Sequence, residues 1–264
     1  MSQESSTWLQ TQDFLEWKDK FDRDGYLVVK DILSPEEIKA YQRIFEELST
    51  GSQTTTHRHD LGSHTTRKVK EHENISQTMW PSLFIPNLTQ GILHTRALEV
   101  ARSVLGSDMT FDFDMLISKA PHTDTETPMH QDESYWPDMP DKRAVTIWVA
   151  LDNATVDNGC MWFVPGSHKL PLRPFKCAKE GHHVIICEGD KDELHAAPIT
   201  AGSCTLHHGR TVHYTRGNST DFKRRAFIMN FRPAEMVQWE RNHDFDHGKS
   251  KGVQGDEHFA KETS

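Results

Sequence analysis

The sequence predicts a single, mostly β domain in which the helices pack outside a sandwich, jelly roll or barrel. After Met109, short β-prone runs alternate with turn residues, and these runs lie at residues 111–118, 144–151, 161–164, 183–187, 203–207 and 226–231. Six short strands in about 120 residues are typical of such architectures. The amphipathic segments come before this region, and an apolar fraction of 35% in 264 residues is enough for one packed core.

The first predicted helix and strand follow each other closely. Residues 14–21 have the apolar spacing of a short helix. Asp24 and Gly25 end this helix, because glycine readily adopts the backbone conformation that terminates a helix. Residues 26–29 then form a short β-prone run.

Two longer helices are predicted before the β region. Ser34 has the position of an N-cap and Pro35 the first helical position, so a helix begins there. Its buried face is marked by Ile38, Tyr41, Phe45 and Leu48. A third helix covers residues 93–105 and ends at Gly106.

Polar segments complete the predicted organisation. Residues 51–70 show no apolar period and are expected to form a loop or lid. The expected single domain therefore has a helical part at about residues 10–106, a β core at about 109–233 and a polar, partly surface-bound tail at 235–264.

Charge and cysteine content restrict the functional class. A net charge of −9 argues against nucleic-acid binding, which needs clustered Lys and Arg. The sequence contains no apolar run of about 18 residues and no signal-peptide pattern at its start, and it does not end in Ser-Lys-Leu. Cys160, Cys177, Cys187 and Cys204 lack disulfide or C-x-x-C spacing. We expect a cytoplasmic protein with a small-molecule partner and no membrane or nucleic-acid partner.

The pair His130 and Asp132 is the first candidate site. Residues i and i+2 of a strand lie on the same face, so an imidazole and a carboxylate can converge on one metal ion. A third ligand such as His213 would complete a two-His-one-carboxylate arrangement typical of Fe(II) oxygenases. The motif alone is weak, because His122 and Asp124 repeat it in a polar loop and His130 could be a structural histidine. The aromatic and apolar residues that follow favour His130.

Several motifs together carry a family resemblance. They are His130-Gln131-Asp132, the run NGCMWFVPGSH at residues 158–168, the run HGRTVH at 208–213, and Asn218 with Arg224. With these motifs the chain resembles the phytanoyl-CoA dioxygenase family of Fe(II)/2-oxoglutarate oxygenases over most of its length. The resemblance implies a double-stranded β-helix, that is, a cupin-like jelly roll, with Fe(II) as the metal and 2-oxoglutarate and O2 as co-substrates.

The resemblance also assigns the metal ligands. It implies that His130, Asp132 and His213 bind the iron. In the family pattern the second histidine ligand is followed after five residues by Asn and after eleven by Arg, and His213 has Asn218 and Arg224 at these positions. His207 and His208, which are rivals for the role by position, are therefore expected to serve packing or to act indirectly.

The same match proposes contacts with the co-substrate. It implies that Arg224 binds the distal carboxylate of 2-oxoglutarate, because a guanidinium can form two parallel charge-assisted hydrogen bonds. Thr215 is expected to donate to the same carboxylate, and Trp148 to lie near it or in the core. Gln77 or Met79 could supply a further contact from the N-terminal part. The neighbouring Arg225 should point to the opposite face of its strand.

The expected reaction is oxidation of an unactivated C–H bond of a small metabolite, most simply hydroxylation, with release of succinate and CO2. The carboxylate of Asp132 argues against halogenation, whereas desaturation or cyclisation in natural-product biosynthesis, or an acyl-CoA substrate, stays open. A basic cluster at Arg58, Arg67, Lys68 and Lys70 could meet an anion or be solvated. Two other classes, a non-catalytic ligand-binding module and a zinc hydrolase, have no use for Arg224. The oligomeric state is not predicted.

Overall fold

The computed structural model describes residues 8, 12–50, 56–61, 73–178 and 184–252. In these residues five α-helices and thirteen strands alternate. The helices are α1 Phe14–Asp24, α2 Pro35–Thr50, α3 Pro81–Phe84, α4 Ile92–Leu105 and α5 Ala234–Asn242. The strands are β1 Tyr26–Val29, β2 Arg58–Asp60, β3 Ile75–Met79, β4 Met109–Lys119, β5 Thr127–His130, β6 Val145–Ala150, β7 Met161–Phe163, β8 Phe175–Cys177, β9 Ile185–Cys187, β10 His195–Ala197, β11 Cys204–His208, β12 His213–Thr215 and β13 Arg224–Pro233.

The ends of the helices follow the local sequence. Gly25 caps α1 in the left-handed conformation, with φ of 77°, and its N–H donates to Phe21. Ser34 and Glu37 cap α2 reciprocally: the Ser34 N–H donates to the Glu37 carboxylate at 2.7 Å, and the Glu37 N–H donates to the Ser34 hydroxyl at 3.3 Å. The helices predicted at residues 14–21, from Pro35 onward and at residues 93–105 are confirmed. They correspond to α1, α2 and α4.

The strands form two main sheets. The larger has seven strands in the order β1-β11-β6-β13-β4-β3-β2, and the smaller has four in the order β10-β7-β12-β5, while β8 and β9 form a separate pair. All of these pairings are antiparallel. This arrangement, with helices outside the larger sheet, is the predicted jelly roll.

The two faces of the larger sheet have different neighbours. One face packs on α1, α2 and α4 through a core that includes Phe21, Tyr41, Leu93, Ile147 and Phe227. The other face meets the smaller sheet, in a cluster of Trp148, Ala150, Met161, Phe163 and Ile228. Because β6 is buried on both faces, it reads as a continuous apolar run in the sequence.

Cross-strand register aligns polar side chains on the face that meets the smaller sheet. His207 of β11 lies opposite Thr146 of β6, which lies opposite Asn230 of β13, which in turn lies opposite Phe113 of β4. Towards the start of β13, Arg224 lies opposite Lys119. The polar row and Arg224 therefore mark two ends of one buried face.

The six strands expected after Met109 are present, and none of their bounds is shifted by more than two residues. The segment at residues 51–70 and the tail differ from what the sequence predicts. Arg58–Asp60, expected in a loop, forms the edge strand β2, while residues 51–55 and 62–70 of the expected lid lie outside the described residues. The expected polar tail contains helix α5, and Glu240, His247 and Gly252 within it are buried. Within the described residues, no helix is long and apolar enough to span a membrane.

Candidate active site

Two histidines and one aspartate converge at the junction of the two sheets. His130, the last residue of β5, lies directly opposite His213, the first residue of β12, in an antiparallel ladder. Asp132 begins a 3-10 helix two residues after His130. Its Oδ1 lies 3.5 Å from the Nε2 of His130 and 3.4 Å from the Nε2 of His213. The three donor atoms lie within 4.8 Å of one another, which suits a single metal ion.

Backbone carbonyls orient both imidazoles. The Nδ1 of His130 lies 2.7 Å from the carbonyl oxygen of Pro128, and that of His213 lies 2.9 Å from the carbonyl oxygen of Thr211. Because a carbonyl can only accept, each Nδ1 carries the proton and each Nε2 keeps its lone pair towards Asp132. Burial, with the nearby His213, lowers the pKa of His130, so its imidazole is neutral as a metal ligand must be.

The second oxygen of Asp132 has its own donors. Its Oδ2 accepts a hydrogen bond from the Thr146 hydroxyl at 2.7 Å and one from the His207 Nε2 at 3.2 Å. The Thr146 hydroxyl accepts in turn from the Asn230 amide at 3.0 Å. Burial opposes ionisation of Asp132, but His213, His130 and His207 hold its pKa well below the usual range. Asp132 is therefore a carboxylate with Oδ1 directed to the two histidines.

These residues line a mostly apolar cavity of about 200 Å³. Every site residue that the sequence singles out for a ligand or co-substrate role lies along its wall: His130, Asp132, His213, Arg224, Thr215, Trp148, Gln77 and Met79. The Gln77 amide is directed at the sulfur of Met115 at 2.9 Å. The structure thus brings together site residues from five strands and the turn after β5.

Arg224 is the most unusual charge in this cavity. It is 1% exposed, and its Nε and Nη1 are buried without a hydrogen-bond partner among the described residues. Its guanidinium carbon lies 5.0 Å from the centre of the Trp148 ring. Burial lowers the pKa of Arg224 to about 10. The Thr215 hydroxyl is also buried without a partner, so donors for an absent anion converge here.

The neighbours of Arg224 explain how it is presented. Arg225 points to the other face, where it pairs with Asp152 at 2.7 Å and Glu46 at 2.8 Å. Asn218 closes the turn before β13, since its amide donates to the Phe222 carbonyl at 2.8 Å and its oxygen accepts from the Thr220 N–H at 3.0 Å. The expected opposite orientation of the two arginines agrees with this geometry.

Lys119 lies across the ladder from Arg224 and is fully buried. Its Nζ donates to the carbonyl of Thr125 at 3.0 Å and to that of Thr215 at 3.5 Å. Burial, and then the charge of Arg224, hold the pKa of Lys119 well below its usual range. Lys119 therefore ties β12 to β4 beside Arg224.

The histidines that compete with His130 and His213 for a metal-ligand role lie outside the cavity or make other contacts. His208 is turned away from the cavity, and its Nδ1 accepts from the Arg210 N–H at 3.0 Å. His122 lies in an exposed loop and contacts Asp221 at 2.9 Å, as expected for the second copy of the motif. The sequence gives no specific role to Thr146, Lys119 and His247, which the fold brings to the site. Only their strand positions could have indicated Thr146 and Lys119.

The donor set fits an iron ion and a keto acid. Two Nε2 lone pairs and one carboxylate oxygen are suited to Fe(II), and the two-His-one-carboxylate set leaves positions open for other ligands. The unpartnered donors of Arg224 and Thr215 are suited to a carboxylate on the same cavity wall. Fold and cavity together define a jelly-roll protein of the cupin-like class, with a site suited to a metal ion and an anionic co-substrate.

The chain belongs to the phytanoyl-CoA dioxygenase (PhyH) family, whose model matches residues 21–226. The family uses Fe(II), 2-oxoglutarate and O2. The chain is 24% identical over 267 residues to phytanoyl-CoA dioxygenase domain-containing protein 1 of Bos taurus, and the match covers 83% of this chain and 90% of that protein.

Solved structures show the same fold. EvdO2 from Micromonospora carbonacea var. aurantiaca, complexed with 2-oxoglutarate, has a TM-score of 0.69 at 24% identity over 85% of this chain and 92% of that chain. The epimerase SnoN, in complex with Fe3+, alpha ketoglutarate and nogalamycin RO, has a TM-score of 0.68 at 24% identity over 84% of each chain. These likenesses establish the predicted jelly roll.

Proposed function

We propose that the protein is an Fe(II)/2-oxoglutarate-dependent dioxygenase that oxidises an unactivated C–H bond of a small molecule. The observation that carries the proposal is Arg224, a buried guanidinium without a hydrogen-bond partner at Nε and Nη1, on the cavity wall that also holds the two histidines and Asp132. An unpaired buried cation is costly unless a ligand compensates for it.

His130, Asp132 and His213 would hold the iron through Nε2, Oδ1 and Nε2. Arg224 would bind the distal carboxylate of 2-oxoglutarate, the Thr215 hydroxyl would donate to it, and Trp148 would pack beside it. Gln77 and Met79 would extend this wall on β3, two strands away from β13 in the same sheet. Iron and 2-oxoglutarate together supply the activation of O2 for C–H oxidation, with succinate and CO2 as co-products.

The protein's own residues control access and orientation. The apolar lining excludes water from the reacting centre, which strengthens the electrostatic interactions within it. Thr146 and His207 hold Asp132 so that one oxygen faces the metal position. This carboxylate favours hydroxylation, desaturation or cyclisation over halogenation.

A small metabolite is the proposed substrate. A cavity of about 200 Å³ can enclose a compact molecule beside 2-oxoglutarate. SnoN, whose structure contains nogalamycin RO, supports a natural-product intermediate. An acyl-CoA is the alternative that the family's name suggests, and its nucleotide would have to lie outside this cavity. The four free cysteines support a cytoplasmic location.

The test is an anaerobic titration of the purified protein with Fe(II) and 2-oxoglutarate, following the visible charge-transfer band of the chelate. Wild type should develop the band, and His213→Ala should not. Arg224→Met should need about 100-fold more 2-oxoglutarate, from the loss of charge-assisted hydrogen bonds. Arg225→Met is the matched control, because Arg225 is adjacent but faces away, and it should titrate like wild type.

Two results would overturn the proposal. A folded wild-type protein without the band would favour a zinc hydrolase or a ligand-binding module. An Arg224→Met variant that binds 2-oxoglutarate as tightly as wild type would remove the reason for the assignment. With the band established, release of succinate on incubation with candidate metabolites identifies substrates.

A further inference from the structure

A buried cluster of charged side chains borders the end of the cavity far from Arg224, and His247 is its member on the cavity wall. On β13, Arg224 and Asn230 are six residues apart, a distance of about 20 Å along a strand. Phe113 lies opposite Asn230 and, with His247, lines this far end. The cavity therefore extends well beyond the part assigned to 2-oxoglutarate.

The imidazole of His247 is held from several sides. Its Nε2 lies 3.1 Å from Asp112 and 3.4 Å from Glu240. Its ring stacks on Phe113, with centroids 3.9 Å apart and an angle of 24° between the planes. Its carbonyl accepts from the Trp80 indole at 3.1 Å, and its φ of 52° is left-handed, which is uncommon for a residue with a side chain.

The four charged side chains around His247 balance one another. Arg232 lies 2.7 Å from Asp112, and Arg241 lies 3.1 Å from Glu240, so the two carboxylates are balanced by two guanidiniums. Burial opposes protonation of His247, but Asp112 and Glu240 raise its pKa above the ordinary value. Because the guanidiniums already pair with both carboxylates, a metal cation is a poor occupant, although donor atoms of Asp112, Glu240 and His247 converge.

One nitrogen of this imidazole is available. Among the described residues none hydrogen-bonds the Nδ1 of His247, although the residue is only 4% exposed and lines the cavity. The Nη2 of Arg232 is likewise buried without a hydrogen-bond partner in the described part of the chain, and its guanidinium lies 3.8 Å above the Trp136 ring, another part of the wall. Arg224 and His247 therefore place nitrogen atoms that hydrogen-bond to no described residue at opposite ends of the cavity.

We propose that the substrate is an apolar small molecule with a carboxylate, and that His247 binds this carboxylate through Nδ1–H. The proposal rests on the proposed function, in which Arg224 takes the 2-oxoglutarate carboxylate at the other end. Phe113, Met115 and Trp136 would cover the apolar body of the substrate, which would hold its C–H bond towards the iron position. Asp112 and Glu240 orient the imidazole in this role.

The test compares 2-naphthoate with its neutral analogue 2-naphthamide by calorimetric titration. The full chain is held anaerobic with Fe(II) and saturating 2-oxoglutarate, so that the Arg224 end is occupied. Wild type should bind the acid about tenfold more tightly than the amide, as a charge-assisted hydrogen bond predicts. Equal affinities, or no binding of either probe, would overturn the proposal.

Substitutions of His247 test whether this residue causes the preference for 2-naphthoate over 2-naphthamide. His247→Gln and His247→Asn both remove the imidazolium, so either one, if folded, should reduce the preference to less than about twofold. His243→Gln is the control, because His243 is an exposed histidine of the same segment whose Nδ1 contacts the Trp239 carbonyl at 2.7 Å and whose ring stacks on Trp239. A preference that survives in a folded His247 variant would contradict the proposal.

Failure of the proposed function can be recognised separately. If the chelate band with 2-oxoglutarate does not form, 2-naphthoate and 2-naphthamide are titrated into the Arg224→Met variant without Fe(II) or 2-oxoglutarate. A preference for naphthoate that depends on His247 then still supports the anion site, whereas equal affinities overturn it. The readout is binding and does not depend on turnover.

Discussion

The hydroxyl of Thr146 donates a hydrogen bond of 2.7 Å to Oδ2 of Asp132, the oxygen that does not face His130 and His213. Thr146 is itself held by the Asn230 amide at 3.0 Å. The carboxylate is thereby fixed with Oδ1 towards the two imidazoles, as a monodentate ligand requires. This contact makes strand β6 part of the metal site, although the proposed ligands come from β5, β12 and the turn after β5.

Replacing Thr146 by Val should weaken metal binding with little effect on folding. Valine keeps the shape but removes the donor, and loss of such an outer contact typically lowers metal affinity about tenfold or more. Competition titration with Co(II) should show this loss. Thr146→Ser keeps the hydroxyl and should bind as wild type does. Equal affinity in the Val and Ser variants would contradict the assigned role.

His207 supplies the second donor to the same oxygen, at 3.2 Å. His207→Leu should therefore also lower Co(II) affinity about tenfold, whereas His207→Gln, whose amide can reach Oδ2, should restore most of it. The visible spectrum of bound Co(II) should change in the Leu variant, because Asp132 becomes free to rotate. His208→Gln serves as a control, since His208 faces away, and a loss of affinity there equal to that of His207→Leu would argue for a general effect on packing.

Arg224→Met should make the protein without co-substrate more stable. The substitution removes a buried guanidinium without hydrogen bonds at Nε and Nη1, and such replacements can stabilise by about 1–3 kcal/mol. Urea unfolding should show the gain, and 2-oxoglutarate should no longer stabilise the variant. Arg225→Met should instead destabilise, because Arg225 pairs with Asp152 and Glu46. A lower stability of Arg224→Met would indicate a structural role for this arginine.

The sequence predicts the fold well where strands carry many apolar residues. Residues 145–150 are buried on both faces, so their apolar run is visible without any partner. Strands β5 and β12 are harder to predict, because they have four and three residues and include polar side chains. Their pairing places His130 opposite His213, a contact between residues far apart in the chain that local periodicity cannot indicate.

The site also contains residues that the sequence indicates and residues that it does not. The family resemblance implies His130, Asp132, His213 and Arg224, and the fold brings them to one cavity. His247 lies in a stretch of polar sequence, and nothing local distinguishes it from a surface histidine. Its burial depends on Asp112, at the start of β4, and on Glu240 in α5. Residues whose role arises from distant charges are therefore those that the sequence does not indicate.

The pH dependence of folding tests the charge state of His247. Burial opposes protonation of His247, but Asp112 and Glu240 raise its pKa above the ordinary value of 6.5. A raised folded-state pKa contributes stability that is fully present below the unfolded-state pKa and is lost as pH rises through the folded-state pKa. The free-energy difference of unfolding between wild type and His247→Gln should therefore shrink as pH rises above the ordinary histidine pKa of about 6.5.

Other groups change the stability in the opposite direction as pH rises. Their contributions cancel in the difference between wild type and His247→Gln. His130 and His208 have lowered pKa values, so their contributions to stability grow as pH rises through about 6.5, and they do so equally in both proteins. Asp112 has a lowered pKa and stays ionised over the whole range. Urea unfolding at several pH values measures the difference directly. A difference that stays constant or grows with pH would mean that His247 is neutral in the folded protein and that it holds the C-terminal segment by packing alone.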